Sequence, residues 1–69
     1  MNPHIYVSLT SASIRHRDLT RRYYVFEDGN EVGILVTTNK VFTEFQPRRE
    51  ASDDLRNLSA TEWEALANG

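Results

Sequence analysis

Apolar and polar residues alternate along much of this chain with the two-residue period of β-strands. In IYVSLT the apolar Ile5, Val7 and Leu9 share one side, which predicts a half-buried strand over residues 4–10. Residues 11–20 show neither period, because Ile14 and Leu19 do not share a helical face. We therefore expect a loop or an irregular turn over residues 11–20.

Residues 21–47 carry the clearest pattern, RRYYVFEDGNEVGILVTTNKVFTEFQP. Three β-rich runs are separated by Asp28-Gly29 and by a weaker turn at residues 38–40. Glycine accepts the positive φ that tight hairpins require, so the segment predicts an antiparallel β-meander. Pro47 ends the meander, since it has no N–H to donate to a neighbouring strand.

Counting residues across these turns assigns the side chains to two faces. A three-residue first loop with Gly29 in the left-handed conformation places Tyr24 opposite Val32. One face then contains Tyr24, Phe26, Val32, Ile34, Val36, Val41 and Phe45, and the other contains Tyr23, Val25, Gly33, Leu35, Thr37, Phe42 and Glu44. A slip of one residue in the first loop would reshuffle both sets.

The C-terminal segment, residues 52–68, is predicted to be helical. Ser59 and Glu62 have the spacing of a capping box, and Leu58 and Trp63 that of a hydrophobic staple. Ser52, followed by two aspartates, indicates a short helical turn just before it. These helices can cover only part of one sheet face. The face with Tyr23 would then need another cover, which the N-terminal strand, a second copy or a different protein could provide.

The sequence thus predicts one α+β domain over residues 1–69. Its core would be a small three- to four-stranded antiparallel β-meander with one or two short C-terminal helices packed on one face. A chain of 69 residues buries only about 60% of its unfolded surface, so its own core leaves a thin stability margin. The chain has no cysteine, which excludes disulfides and thiolate zinc sites. The N-terminal residues lack a basic region and a long apolar run, so we expect a cytoplasmic protein without a signal peptide.

No residue pattern predicts catalysis, a metal site or a cofactor. His4 and His16 are twelve residues apart, and neither has a ligand partner at helical spacing. The serines lack a glycine-rich nucleophile elbow, and no phosphate-binding glycine loop is present. We therefore expect a non-enzymatic protein that binds no metal ion and no cofactor.

Charge is distributed unevenly, although the net charge is only −2. The stretch RHRDLTRRYY, residues 15–24, holds four of the seven arginines and leads into two tyrosines. Arginine can clamp phosphates and tyrosine can stack on bases, so this stretch suggests a DNA- or RNA-binding regulator. In a strand, however, only Arg21 with Tyr23, or Arg22 with Tyr24, can share a face. The acidic C-terminal residues could also neutralise these arginines internally.

Protein binding fits more of these observations. The chain is small and acidic overall, both predicted sheet faces are apolar, and it uses arginine seven times to one lysine. Arginine, tyrosine and tryptophan dominate interface hot spots. We therefore expect a regulator or inhibitor that occludes a larger protein, most naturally as a homodimer, in the style of phage or mobile-element accessory proteins. The expected partner-binding residues are Arg15, Arg17, Arg21, Arg22, Tyr23, Leu35 and Phe42.

Overall fold

A computed structural model describes residues 4–69 of the chain. Four antiparallel strands form one sheet in the order β1-β2-β3-β4. The strands are β1 Ile5–Arg15, β2 Asp18–Glu27, β3 Asn30–Thr38 and β4 Val41–Pro47, and the helices are α1 Asp53–Arg56 and α2 Ala60–Asn68. The predicted α+β class, the antiparallel meander and the short C-terminal helices are confirmed.

All three hairpins are closed by two-residue turns whose residues both have positive φ. The φ angles are 53° and 71° at His16-Arg17, 53° and 84° at Asp28-Gly29, and 52° and 70° at Asn39-Lys40. Turns of this mirror-image type match the right-handed twist of the strands they join. The loop predicted over residues 11–20 is therefore wrong: β1 and β2 extend through it to a tight turn. The sequence concealed this turn because His16-Arg17 contains no glycine or asparagine.

Each strand pair also contains a register shift, and these shifts change the predicted faces. The residues left without a partner are Thr10 in β1, Val32 in β3 and Thr43 in β4. A β-bulge inserts one residue and reverses the side-chain alternation beyond it.

The observed pairing consequently differs from the predicted pairing at two places. The first loop of the meander has two residues rather than the predicted three, and with the register shift this places Tyr24 opposite Ile34 rather than Val32. Phe45 lies opposite Leu35 and joins its face, whereas Glu44 lies opposite Val36 on the other face.

The helices cover the face of the sheet that carries Tyr23, which is the face the sequence left uncovered. Both faces are rich in apolar residues, so residue type alone does not indicate which one the helices choose. Leu35, Val25 and Leu55 are fully buried, and Trp63 is 1% exposed. Trp63 packs on Phe45 with ring centroids 4.5 Å apart. The buried core cluster consists of Ile5, Tyr23, Val25, Val32, Leu35, Ala51, Leu55 and Trp63.

Local signals position both helices as predicted. The Ser59 hydroxyl accepts a hydrogen bond from the Glu62 amide, and the Glu62 carboxylate accepts one from the Ser59 amide, which completes the capping box. The Ser52 hydroxyl caps α1 by accepting from the Leu55 amide. Ser52 is itself held to the sheet, because its hydroxyl donates to the Glu27 carboxylate over 2.6 Å.

The two edges of the sheet differ in their hydrogen bonds to the helices. At the β4 edge the Phe42 amide donates to the Glu64 carboxylate of α2 over 2.8 Å, and the Asn68 side chain donates to the Lys40 carbonyl. The β1 edge has no such cover in residues 4–69: beyond the β1–β2 ladder, no hydrogen bond involves residues 5–14. Helix side chains thus bond the Lys40–Phe42 end of the β4 edge, whereas β1, which α2 also contacts, makes no hydrogen bond to the helices within residues 4–69.

Candidate interaction surface

The sheet face opposite the helices carries an exposed cluster of aromatic side chains. Tyr6 stacks on Phe26 with ring centroids 4.9 Å apart and planes 9° from parallel. Tyr24 meets the edge of Phe26 at 6.4 Å and 74°. Ile34 lies opposite Tyr24 on the next strand. Tyr6, Tyr24, Phe26 and Ile34, here called the aromatic face, thus span β1, β2 and β3.

Two of these rings remain open to solvent. Tyr6 is 48% exposed and Tyr24 is 42% exposed. Large exposed apolar groups scattered singly are normal on protein surfaces, but a contiguous group across three strands is typical of an interaction site. Both rings are held on regular strands against Phe26, so little side-chain freedom remains to be lost when a partner covers them.

Charged residues border the aromatic face on both sides. Arg22 and Glu44 lie on either side of Val36 in one row across the sheet, and both are exposed. Glu31 lies opposite Phe26, and its carboxylate accepts a hydrogen bond from the Arg48 guanidinium over 2.7 Å. That pair is the one salt bridge found in residues 4–69.

The arginines of the basic stretch consequently have no ionic partner within the described residues. The acidic C-terminal segment does not fold over them. Arg15 lies directly before the first turn, and Arg17 is the second residue of that turn; both are exposed. Arg15 points to the same face as Arg22, because alternate residues after the bulge share a face.

The predicted partner-binding residues are thus divided between two environments. Arg22 lies on the exposed face opposite Ser11, and Arg15 and Arg17 lie further along the same hairpin, at its turn. Arg21 lies opposite the buried Thr37 on the helix side and is half-buried.

The three predicted apolar contacts lie on the helix side. Tyr23 is 6% exposed and Leu35 is fully buried, so both belong to the core. Phe42 is half-buried and stacks on Trp63 at 6.4 Å. None of the three presents the broad open surface that the sequence suggested.

The aromatic residues that form the exposed face instead were missed for two reasons. The sequence placed Tyr24 and Phe26 under the helices, and it gave Tyr6 no neighbour because the β1–β2 pairing was not recognised. Recognising the turn at residues 16–17 alone would have placed Tyr6 opposite Glu27, and only the bulge between Leu9 and Ser11 brings it opposite Phe26.

A groove lies at the end of the sheet that carries the Asp28-Gly29 turn. This groove, of about 520 Å³, is lined by Glu27, Asp28, Asn30, Glu31, Val32, Arg48 and Glu50. Glu27 is bonded to Ser52 and Glu31 to Arg48, so two of its carboxylates already serve the fold. Within residues 4–69, no three side chains of the metal-binding types come together to hold an ion.

Helices in the described part of the chain are too short, and too polar, to span a lipid bilayer. Comparison with protein-family models, curated proteins and solved structures finds no match to this chain.

Proposed function

We propose that this protein is a non-catalytic binding module that regulates or inhibits a larger protein by stoichiometric occlusion. The observation that carries the proposal is the aromatic face. It is contiguous and preorganised, and the helices cover the opposite side of the sheet.

Covering this face would contribute several kcal/mol to the binding of a partner. An aromatic side chain buries about 150–250 Å², and roughly half of that surface is still exposed for Tyr6 and Tyr24. At about 25 cal/mol per Å², covering each ring contributes on the order of 2 kcal/mol. Ile34 and Phe26 are half-buried and extend the same contact. A few such groups at the centre of an interface commonly carry most of its affinity.

The arginines that have no ionic partner within residues 4–69 indicate a partner with acidic groups. Arg22 borders the aromatic face, and Arg15 and Arg17 lie at the end of the same sheet. A target with an apolar patch and acidic groups along one side would satisfy both features. Such charges raise the association rate and set orientation more than they raise affinity.

A capture experiment with matched variants tests this proposal. The purified chain is immobilised, and proteins retained from the native host lysate are compared after nuclease treatment. Tyr24→Ser removes an aromatic of the proposed surface, whereas Ile14→Ser removes a side chain that is 76% exposed but lies on the helix side. We expect Tyr24→Ser to lose a specific partner at unchanged circular dichroism and Ile14→Ser to keep it. Equal retention by both variants would refute the role of the aromatic face.

One observation favours a second candidate, the binding of single-stranded DNA or RNA. Arg22 and Tyr24 are both exposed and share a face with Tyr6, the combination that clamps a phosphate while a base stacks. Glu44 on that face and the net charge of −2 oppose it. Engagement of Arg15, Arg17 and Arg22 would give log affinity a slope of about −2 against log salt. Absence of binding to a mixed oligonucleotide at low salt would exclude this function.

A further inference from the structure

The outer edge of β1 has the features of a pairing site for another strand. β1 is 11 residues long, and residues 5–14 carry no charged side chain and no proline. Natural proteins usually block an exposed edge with charges, proline, a short strand or a covering element. Here a single bulge between Leu9 and Ser11 interrupts an otherwise open edge.

The pairing pattern identifies which backbone groups face outward. Arg15 and Asp18 flank a two-residue turn and so form a hydrogen-bonded pair that points inward. Since such pairs alternate along an antiparallel ladder, Ala12 and Ile14 direct their N–H and C=O away from β2. Before the bulge, Ile5 and Val7 do the same. The edge therefore offers outward donors and acceptors on both sides of the bulge between Leu9 and Ser11.

We propose that β1 pairs edge to edge with β1 of a second copy, in antiparallel orientation, to form a continuous eight-stranded sheet. This self-pairing does not depend on the target-binding function, because it uses backbone groups of β1 rather than the aromatic side chains.

Charge complementarity favours a second copy of this chain as the partner and an antiparallel direction for its β1. The turn end of β1 carries Arg15 and Arg17 against Asp18, which leaves it net positive, and the opposite end of the sheet carries the exposed Asp28 beside Glu27, which is bonded to Ser52. Antiparallel pairing brings the basic end of each copy alongside the acidic end of the other. Parallel pairing would instead place like charges together. Between these ends the edge is uncharged, so nothing repels the two backbones.

The β4 edge is a poorer pairing site than β1, because α2 bonds one end of it and Pro47 ends it. Glu64 and Asn68 of α2 already bond the Phe42 amide and the Lys40 carbonyl. Within residues 4–69, β1 is thus the edge better suited to pairing, and a two-fold axis perpendicular to the sheet closes a dimer formed through it. The same axis directs both aromatic faces to one side of the dimer. It also brings the exposed Leu9 and Ile14 of each copy beside the seam on the helix side.

Sedimentation equilibrium across a range of concentrations tests the pairing directly. We expect twice the 8.0 kDa mass of one chain at high concentration. Ala12→Pro removes one outward N–H and should abolish the dimer, whereas the control Ala12→Ser keeps that N–H and should dimerise. A mass of 8.0 kDa at every concentration, or a dimer unaffected by Ala12→Pro, would overturn the proposal.

Cross-linking provides a measurement that does not require the proline variant to fold. The described chain contains no cysteine, so a single introduced thiol reports one position. Under mild oxidation, Leu9→Cys, Thr10→Cys or Ser11→Cys near the centre of β1 should give a covalent dimer. Val41→Cys on β4, which is 58% exposed, should remain monomeric. No cross-link at any of the three β1 positions would refute the pairing.

Charge reversal tests the antiparallel direction. Arg17→Glu should weaken the dimer by about tenfold, since two opposite-charge contacts become repulsive. Adding Asp28→Lys to the same chain should restore most of that loss. A dimer insensitive to both changes would contradict the antiparallel arrangement.

Discussion

The turn between β3 and β4 predicts a substitution that stabilises the protein. Lys40 has φ of 70° at the second turn position, where turns of this type favour glycine. Holding a non-glycine residue in the left-handed region costs about 1–2 kcal/mol. Lys40→Gly removes this strain but adds about 0.4–1 kcal/mol of unfolded-chain entropy. The net gain is therefore on the order of 1 kcal/mol, which raises the Tm of a domain this small by about 5 °C.

Thermal and urea denaturation followed by far-ultraviolet circular dichroism measure this gain. Lys40→Gln removes the same charge but keeps the strained backbone, so the difference between Lys40→Gly and Lys40→Gln isolates the conformational effect. The reciprocal change, Gly29→Ala, should destabilise by about 1 kcal/mol. A β-carbon at Gly29 would meet no atom within 4 Å, and only its φ of 84° opposes alanine. If Lys40→Gly is no more stable than Lys40→Gln, the positive φ at this position carries no strain.

Three further substitutions probe the core and the helix cap by the same denaturation assay. Trp63→Ala should cost about 3–5 kcal/mol and leave the chain largely unfolded, because the buried indole packs on Phe45 at 4.5 Å; a loss below 1 kcal/mol would contradict this packing. Gly33→Ala should cost about 1–3 kcal/mol of unfolding free energy, since its β-carbon would lie 2.6 Å from the Gln46 carbonyl oxygen. A neutral effect would show that the β4 backbone shifts away at little cost. Ser59→Ala should cost about 1 kcal/mol through loss of the cap, whereas Ser59→Asp should keep most of the stability.

Features determined by a few neighbouring residues were predictable from the sequence. Ser59 and Glu62 satisfy each other's backbone within one helical turn, so their spacing was sufficient to locate the start of α2. Asp28-Gly29 located the central hairpin, because glycine accepts the positive φ that a tight turn requires. The first hairpin was missed because His16 and Arg17 adopt positive φ without the usual residue types. Its conformation is imposed by the pairing of the two long strands that it joins.

Features that depend on packing between distant segments were not predictable. The bulges alter the parity of the strands, so Glu44 and Phe45 exchanged faces relative to the expected register. The choice of face by the helices followed from contacts of Trp63 and Leu55 that no local pattern specifies. The candidate site changed accordingly. Arg22 rather than Arg21 became the accessible arginine, and Tyr24 replaced Tyr23 as the accessible tyrosine.

The shielding of β4 by α2 links the stability of a short helix to the solubility of the whole protein. Glu64 and Asn68 protect the second edge only while α2 is docked, and α2 contains nine residues. Local opening of such an element needs less energy than global unfolding. A chain with α2 detached would expose an edge on each side of its sheet and could add further chains without limit. Conditions or variants that loosen this helix should therefore promote fibrillar aggregation before the sheet itself unfolds.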